Sequence, residues 1–279
     1  MRTAISALKL LEPNSLNQAF KIMESHPGIT PMAGCTDLYV SLNFGTLRST
    51  QFLNLWGLSD LKKIRIQGDL LSIGSLATYT QIIHSTPVKK WIPMLVQAAH
   101  SIGGMQIQNR GTIGGNIANG SPAGDTLPVL AAAEAVVILA SSRGTRRVPF
   151  NSFYTGYRKT VMQQDELILS VEIPKLKGKQ WFRKVGARSA QAISKIVMAA
   201  VSRKNASGKN LRIGIGSVAP TVIRLYKTEE ILAQTGDIAE AQKTLCSEIQ
   251  PIDDLRSTAY YRKTVAANLL AEWWEKHLV

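Results

Sequence analysis

The sequence predicts an α+β fold with two domains, and three observations support this prediction. The chain has 279 residues, 45% of them apolar, so it can bury a sizeable core and exceeds the roughly 150 residues of an average domain. Segments with helical and with strand-type hydrophobic spacing alternate along the chain. A charged segment with a glycine, Lys175 to Lys179, follows a strand-like segment that ends at Pro174. We therefore place the domain boundary at residue 175.

The first forty residues are predicted to form a strand, a helix and a second strand. Ile5 to Leu11 and Ile29 to Met32 have the length and composition of strands. Between them, Ser15 and Gln18 resemble a capping box, and apolar residues then recur at helical spacing until Pro27. This order predicts a βαβ unit, with residues 33 to 37 as the loop after its second strand.

The remainder of the first domain combines hairpins, helices and a glycine-rich segment. Hairpins are predicted at 63–73 and 135–148, helices at 79–84 and 92–100, and a half-buried strand at 166–173. Seven glycines lie between residues 103 and 125. So many glycines in one connection are more typical of a ligand-binding loop than of a linker.

The second domain is predicted to contain three strands followed by three helices. The strands lie near 181–185, 193–201 and 211–218, and the last helix covers 257–277. Gly214 to Ala219 matches the loose pattern G-x-G-x-x-A, but Pro220 and the β-branched residues after it argue against the helix that a dinucleotide fingerprint requires. We interpret this segment as a strand.

Charge and cysteine content limit the possible functions. The net charge of +14 favours an anionic partner, which includes nucleic acid, a membrane surface, a nucleotide and an acidic protein. Cys35 and Cys246 are far apart without a C-x-x-C pattern, so the sequence indicates neither a disulfide framework nor a metal site. The longest apolar stretch, Leu127 to Ala140, contains Glu134 and is too short to span a membrane. No signal peptide is evident, so we expect a cytoplasmic protein without membrane contact.

The segment Asn109 to Asp125 is the richest in potential ligand contacts. Its glycines allow backbone N–H groups to point together at phosphate oxygens, and Thr112 and Asn116 add polar side chains. A phosphate-bearing ligand and an irregular loop are both compatible with this composition. Asp125 precedes Thr126 and an alanine-rich run, so its carboxylate is also a candidate helix N-cap.

Four segments of the chain match sequence motifs that occur together, in the same order, in one known family. Ala33 to Leu38 resembles A-G-G-T-D-L, and Gln106 to Asp125 resembles Q-I-R-N-x-x-T-I-G-G-N-I-x-x-x-S-P-x-x-D. Asp165 to Pro174 is similar to D-E-[IL]-L-x-x-[IV]-x-[IVL]-P, and Asp253 to Arg262 is similar to D-D-x-R-x-S-x-x-Y-R. Together they cover nearly the whole chain, which thus resembles the FAD-binding subunits of molybdenum hydroxylases, the family of the xanthine dehydrogenase and aerobic carbon monoxide dehydrogenase flavoproteins.

The resemblance implies a specific architecture. Residues 1–175 would form a FAD-binding domain of the vanillyl-alcohol-oxidase or PCMH type, with two α/β subdomains at about 1–55 and 56–175. FAD would extend between these subdomains. Residues 176–279 would form a smaller C-terminal α/β domain, with a three-stranded antiparallel sheet and helices.

The resemblance also implies the cofactor-binding residues. The loop Thr30 to Asp37 would wrap the pyrophosphate, and Thr112 to Asn116 would line the pyrophosphate and ribityl groups from the other side. Asp125 would be a polar contact, whereas Ile102 and Ile168 would lie against the flavin and Lys195 would approach it. The complete expected set is Thr30, Pro31, Met32, Ala33, Gly34, Cys35, Thr36, Asp37, Ile102, Thr112, Ile113, Gly114, Gly115, Asn116, Asp125, Ile168 and Lys195. Asp254 and Arg256 are expected to hold the last helix in place.

Cys35 departs from the family motif, which has glycine at this position. If the position requires a positive φ, the cysteine costs roughly 1 kcal/mol or more in backbone strain. The loop would then hold FAD less tightly or be adjusted. A thiol beside phosphates is also a candidate redox-sensitive group, because nearby charge would change its pKa.

The resemblance implies an oxidoreductase subunit that passes electrons from a [2Fe-2S] partner through FAD to NAD or to another acceptor such as O2. Hydroxylation would take place on a molybdopterin-binding partner, and the motifs identify neither the substrate nor the acceptor. A stand-alone flavin oxidoreductase is one alternative, although the motifs carry no His or Cys suited to covalent flavin attachment. A basic nucleic-acid-binding protein is the other, although aromatic residues make up only 6% and no binding signature accompanies the charge.

Overall fold

The computed structural model describes residues 8–189, 191–205 and 208–278, and it contains three main sheets. Residues 5 to 7 of the first predicted strand lie outside this description. In the described part of the chain, no helix is long and apolar enough to cross a membrane.

The first sheet is small and parallel. It is built from β1 (Lys9–Leu11), α1 (Leu16–Ser25), β2 (Thr30–Met32), α2 (Leu38–Asn43) and β3 (Gln51–Asn54). Ser15 caps α1 by accepting a hydrogen bond from the Gln18 backbone N–H, which confirms the predicted helix start. The strand order is β1-β3-β2, so the unpredicted β3 lies between the two strands of the predicted βαβ unit. All three strands point the same way, and the loop 33–37 leaves the carboxyl end of β2.

The second sheet is antiparallel, has five strands and is covered by helices. Its elements, with the helices between them, are β4 (Ile64–Gln67), β5 (Leu70–Gly74), α3 (Tyr79–His84), α4 (Thr86–Trp91), α5 (Pro93–His100), α6 (Met105–Arg110), α7 (Ile113–Asn119), α8 (Leu127–Ala132), β6 (Val136–Ser141), β7 (Gly144–Pro149) and β10 (Leu167–Pro174). A two-stranded hairpin of β8 (Tyr154–Gly156) and β9 (Lys159–Thr160) precedes β10. Both predicted hairpins are confirmed, and the strand order is β4-β5-β10-β6-β7.

The third sheet has four strands rather than the expected three. Its elements and the helices that follow are β11 (Lys179–Val185), β12 (Ile196–Asn205), β13 (Gly208–Gly216), β14 (Ile223–Arg224), α9 (Tyr226–Gln234), α10 (Ile238–Glu248) and α11 (Ala259–Leu278). The additional strand β14 pairs with β13 through only two residues. Such a short edge strand carries no alternating pattern that a sequence could show. Gly214 lies within β13, which confirms the strand interpretation of its segment.

Two of the three cores meet at the junction of the second and third sheets. Ala199 and Val201 of β12 belong to the core of the five-stranded sheet and its helices. β13 lies so close to α8 that a Cβ on Gly214 would be 2.2 Å from the carbonyl oxygen of Pro128. Glu134, just after α8, accepts hydrogen bonds from Arg212 and Arg224 at 2.9 and 2.6 Å. Apolar packing and ion pairs therefore join the third sheet to the rest of the chain.

Candidate functional site

A large cavity of about 1240 Å³ lies where loops of the three sheets meet. Its wall is formed by parts of the segments 31–38, 102–125, 157–168, 191–194 and 250–262. Four of these segments overlap motifs that carried the family resemblance, although they are distant in sequence. The fold therefore assembles these motifs around one space.

All but three of the expected cofactor-binding residues line this cavity. The exceptions are Thr30, which pairs with Phe52 inside the first sheet, Ile113, which is fully buried in the core, and Lys195. The Nζ atom of Lys195 lies 5.0 Å from the centre of the Tyr261 ring on α11. The lysine side chain thus packs against an aromatic ring, outside the cavity wall.

Two glycines allow the cavity walls to close against each other. A Cβ on Gly34 would lie 1.6 Å from the carbonyl oxygen of Arg110, so only glycine permits this contact between the first loop and the end of α6. A Cβ on Gly114 would lie 2.5 Å from the Cβ of Ser75, which follows β5. These contacts bring the segments 33–37 and 112–116 to one end of the cavity.

Cys35 has a φ of +63°, so the condition under which its side chain causes backbone strain is met. Its thiol donates weakly to the carbonyl oxygen of Ala33 at 3.5 Å. Burial raises the pKa of the Cys35 thiol, and the nearby Arg110 charge opposes this only in part. Because reactive cysteines have lowered pKa values, the structure does not favour the redox-sensitive alternative.

Replacing Cys35 with glycine is expected to stabilise the protein by up to about 1 kcal/mol, because it removes the strain of a side chain in the left-handed region. Urea unfolding measures this change. Cys246→Gly is the control: this residue lies inside α10, where glycine is expected to destabilise by about 1 kcal/mol. A loss of stability in Cys35→Gly would contradict the strain assigned to the loop.

Asp125 is held by a buried network rather than by a helix end. Its Oδ2 accepts a hydrogen bond from Lys184 Nζ at 2.6 Å, and its Oδ1 accepts one from the Ser194 hydroxyl. Lys184 Nζ also donates to the carbonyl oxygen of Ser101 at 2.9 Å. Burial raises the pKa of Asp125, and the charge of Lys184 opposes that shift. The helix-capping alternative is wrong, because Thr126 occupies the N-cap position of α8.

Lys184 and Ser194 were not among the expected site residues. Lys184 lies on β11 two residues after Phe182, so both side chains share one face of the strand, and Phe182 packs against the core. The position of Lys184 on the apolar face of a strand is the feature of the sequence that could have identified it as a site residue. Ser194 lies in the connection before β12, where no periodicity marks it.

Ile168 is positioned by an irregularity of the second sheet. The register of β10 against β6 shifts between Ile168 and Ser170. Such a bulge changes the direction of the neighbouring side chains. Ile168 is 7% exposed and lines the cavity, as does Ile102 after α5. These two residues provide apolar wall area.

The C-terminal motif forms the remaining wall. Asp254 accepts hydrogen bonds from Arg262 at 2.8 Å and from the backbone N–H groups of Arg256 and Ser257. Arg262, which is only 5% exposed, also donates to the carbonyl oxygen of Ser217 at 2.7 Å. The motif therefore ties the start of α11 to the end of β13, in agreement with the expected role of Asp254.

Glu166, also in the cavity wall, provides a test of the electrostatics. The Arg146 guanidinium donates to both of its carboxylate oxygens, at 2.6 and 2.8 Å, and this hydrogen bonding holds the pKa of Glu166 below its usual value of 4.5. The stabilisation is therefore present above pH 4.5 and is lost as the pH falls through the lower folded-state pKa.

We expect Glu166→Gln to cost about 1–2 kcal/mol in the free energy of unfolding at neutral pH. The difference from the wild type should shrink as the pH falls below about 4. Urea unfolding across this pH range measures it, with Glu24→Gln on the exposed side of α1 as a neutral control. A difference that grows with acidity would contradict the assigned ion pair.

Two family models match the chain. The model described as FAD binding domain in molybdopterin dehydrogenase matches residues 6–176. The model described as CO dehydrogenase flavoprotein C-terminal domain matches residues 181–277. Together they include all the segments that form the cavity wall.

Individual relatives agree with these models. The chain is 31% identical to the glyceraldehyde dehydrogenase medium chain of Sulfolobus acidocaldarius, over 90% of this chain and 91% of that protein. It is 34% identical to the xanthine dehydrogenase FAD-binding subunit of Escherichia coli O157:H7, over 77% of this chain and 76% of that protein.

A solved structure shares the fold. A chain of the carbon monoxide dehydrogenase from Hydrogenophaga pseudoflava, in a form that lacks the Mo-pyranopterin moiety, superposes with a TM-score of 0.90 at 25% identity, covering 95% of each chain. The resemblance seen in the motifs is thereby confirmed. The chain belongs to the family of FAD-binding subunits of molybdenum hydroxylases, and it is an oxidoreductase subunit whose cofactor is FAD.

Proposed function

We propose that this chain relays electrons from a [2Fe-2S] partner subunit, through FAD, to NAD or another acceptor. The observation that carries the proposal is the cavity at which the family motifs converge, closed at one end by Gly34 and Gly114. The medium-chain and FAD-binding-subunit names of the relatives are those of components of larger enzymes. The subunit that reduces the FAD of this chain would thus be another chain of the same enzyme.

The residues of the cavity suit FAD. The backbone of the loop 33–37 and the side chains of Thr36 and Thr112 offer donors at the glycine-closed end, where close approach to phosphate oxygens is possible. Ile102 and Ile168 offer an apolar surface for a ring system. FAD supplies the ability to accept electrons one at a time and to release them as a pair.

We propose that the cofactor contacts are the lining residues of the expected set. The pyrophosphate would lie between the segments 33–37 and 112–116, and the flavin would lie toward Ile102 and Ile168. Asp125 would act through Lys184 and Ser194, since both of its carboxylate oxygens accept hydrogen bonds from these residues. The protein groups would bind and orient the flavin and exclude water from it.

We also propose the domain division and the finer fold assignment. A FAD-binding domain of the PCMH type would cover residues 1–175, with subdomains at about 1–55 and 56–175, and a C-terminal domain would cover 176–279. The separate first and second sheets support two subdomains, and the two family models adjoin between residues 176 and 181. A cytoplasmic location and a molybdopterin-binding partner complete the proposal.

Isolation of the complex from the native host tests the electron route. A tagged form of the chain is expected to co-purify with chains that contribute iron and molybdenum, and its flavin should be reduced by the substrate only within that complex. Oxidation of NADH by the isolated chain at the rate of the complex would instead establish a stand-alone flavin oxidoreductase. A purified chain that binds duplex DNA and no FAD would support the nucleic-acid alternative.

A further inference from the structure

Lys184 lies in a wall shared by two cavities. Besides the main cavity, the structure contains a second cavity of about 350 Å³ between the end of α5 and β11. Lys184 and Ala192 line both spaces. The Lys184 side chain is only 13% exposed, so its ammonium group is largely removed from bulk solvent. Lys184 therefore borders the main cavity on one side and the second cavity on the other.

The contacts of Lys184 hold its ammonium group in a fixed place. Its Nζ donates to Asp125 Oδ2 at 2.6 Å and to the Ser101 carbonyl oxygen at 2.9 Å. An ammonium group has three N–H bonds, so one remains beyond these two described contacts. Ser194 holds the other oxygen of Asp125, and Ser217 donates to the Ser194 carbonyl oxygen at 3.1 Å. These contacts hold the Asp125 carboxylate in place, and the carboxylate in turn holds the Lys184 ammonium group.

Among the cationic residues of the described wall, Lys184 is the one that can release a proton toward the part of the main cavity near Ile102. Ser101, whose carbonyl it contacts, directly precedes Ile102. The other cationic residues in the described wall are Arg158, Arg256 and Arg262, and a guanidinium does not release its proton in proteins. A lysine ammonium, in contrast, can act as a proton donor.

We propose that Lys184 supplies the proton that the flavin ring takes up on reduction, an inference that rests on the proposed function. Reduction by two electrons forms one ring N–H bond at neutral pH. The electrons come singly from the iron–sulfur partner, and an N–H bond of Lys184 breaks as the ring N–H bond forms. The resulting amine would regain a proton from bulk solvent through the second cavity, and the Asp125 carboxylate would favour the recharged ammonium.

Lys184→Arg separates proton transfer from charge and packing. Arginine retains the positive charge beside Asp125 but cannot donate the proton. The FAD-loaded protein is reduced with dithionite in a stopped-flow instrument, and the flavin absorbance follows proton uptake by the reduced ring, because the oxidation of dithionite itself releases protons into the solution. We expect proton uptake per bound FAD to slow by about 100-fold, in the range of general acid catalysis. Lys209→Arg, whose lysine packs over the Trp274 ring away from both cavities, should behave like the wild type.

A second variant tests the same step by chemical rescue. In Lys184→Met, added methylammonium is expected to restore proton uptake in proportion to its concentration, which a purely structural defect would not allow. Wild-type proton uptake in Lys184→Arg, or slow uptake in Lys184→Met that no amine restores, would overturn the inference and leave the proposed function intact. A folded wild-type chain that binds no FAD would overturn the proposed function and the inference together.

Discussion

Gly34→Ala is expected to abolish FAD binding at micromolar concentrations and to destabilise the fold by about 3 kcal/mol or more. The added Cβ would lie 1.6 Å from the carbonyl oxygen of Arg110 and 2.4 Å from its carbonyl carbon. Backbone atoms cannot rotate away as a side chain can, so the loop 33–37 must separate from the end of α6. A loss of 3 kcal/mol in binding corresponds to an affinity reduced by roughly 100-fold or more.

Urea unfolding and titration with FAD, followed by flavin fluorescence, measure the two effects of Gly34→Ala. Gly57→Ala is the matched control, because Gly57 is exposed and an added Cβ would meet nothing within 4 Å. This control should stay within about 0.5 kcal/mol of the wild type. Wild-type FAD affinity in Gly34→Ala would contradict the closure assigned to this end of the cavity.

Asp125→Ala is the second change with a large expected effect, and it should destabilise the protein by about 3–5 kcal/mol. It leaves the Lys184 ammonium largely buried, with a side-chain exposure of 13%, and without its counter-ion. Because this ion pair connects the segment after α7 to β11, its loss should also loosen the cavity wall. Urea unfolding measures the change in the free energy of unfolding.

A double-mutant cycle tests whether the loss arises from the unpaired charge. Asp125→Ala combined with Lys184→Met removes both charges, so the double variant should be more stable than the sum of the single changes predicts, by about 2–3 kcal/mol. Strictly additive losses would show that the two groups do not interact. The pair Glu24→Gln and Lys209→Met, which share no described contact, provides an additive reference.

Much of the fold follows from local patterns in the sequence. Helix α1 was predicted because a capping serine and helical apolar spacing occur together, and both hairpins were predicted from strand pairs around short polar turns. The strands β3 and β14 were not predicted, because segments of four and two residues are too short to show a period. Strand order was not predicted either, because the pairing of β3 between β1 and β2 depends on tertiary packing and not on local sequence.

The site, like the fold, was predictable where its features are local in sequence and not where they depend on long-range contacts. The loop after β2 and the glycine-rich segment were identified because their composition and motifs are local. The partners of Asp125 were missed, because Lys184 and Ser194 are 59 and 69 residues away in sequence. Lys195 Nζ lies 5.0 Å from the centre of the Tyr261 ring, and its contact with the flavin stays a prediction. Long-range contacts of single side chains leave no pattern in one sequence.

Identification of the cofactor bound by the purified chain tests the central claim most directly. The chain is incubated with FAD and with FMN, freed of unbound flavin, and examined by visible absorption and by mass analysis of the flavin released on denaturation. We expect the absorption of oxidised flavin, with one FAD released per chain and no retained FMN. A well-folded chain that stays colourless with both flavins, alone and within its complex, would contradict it.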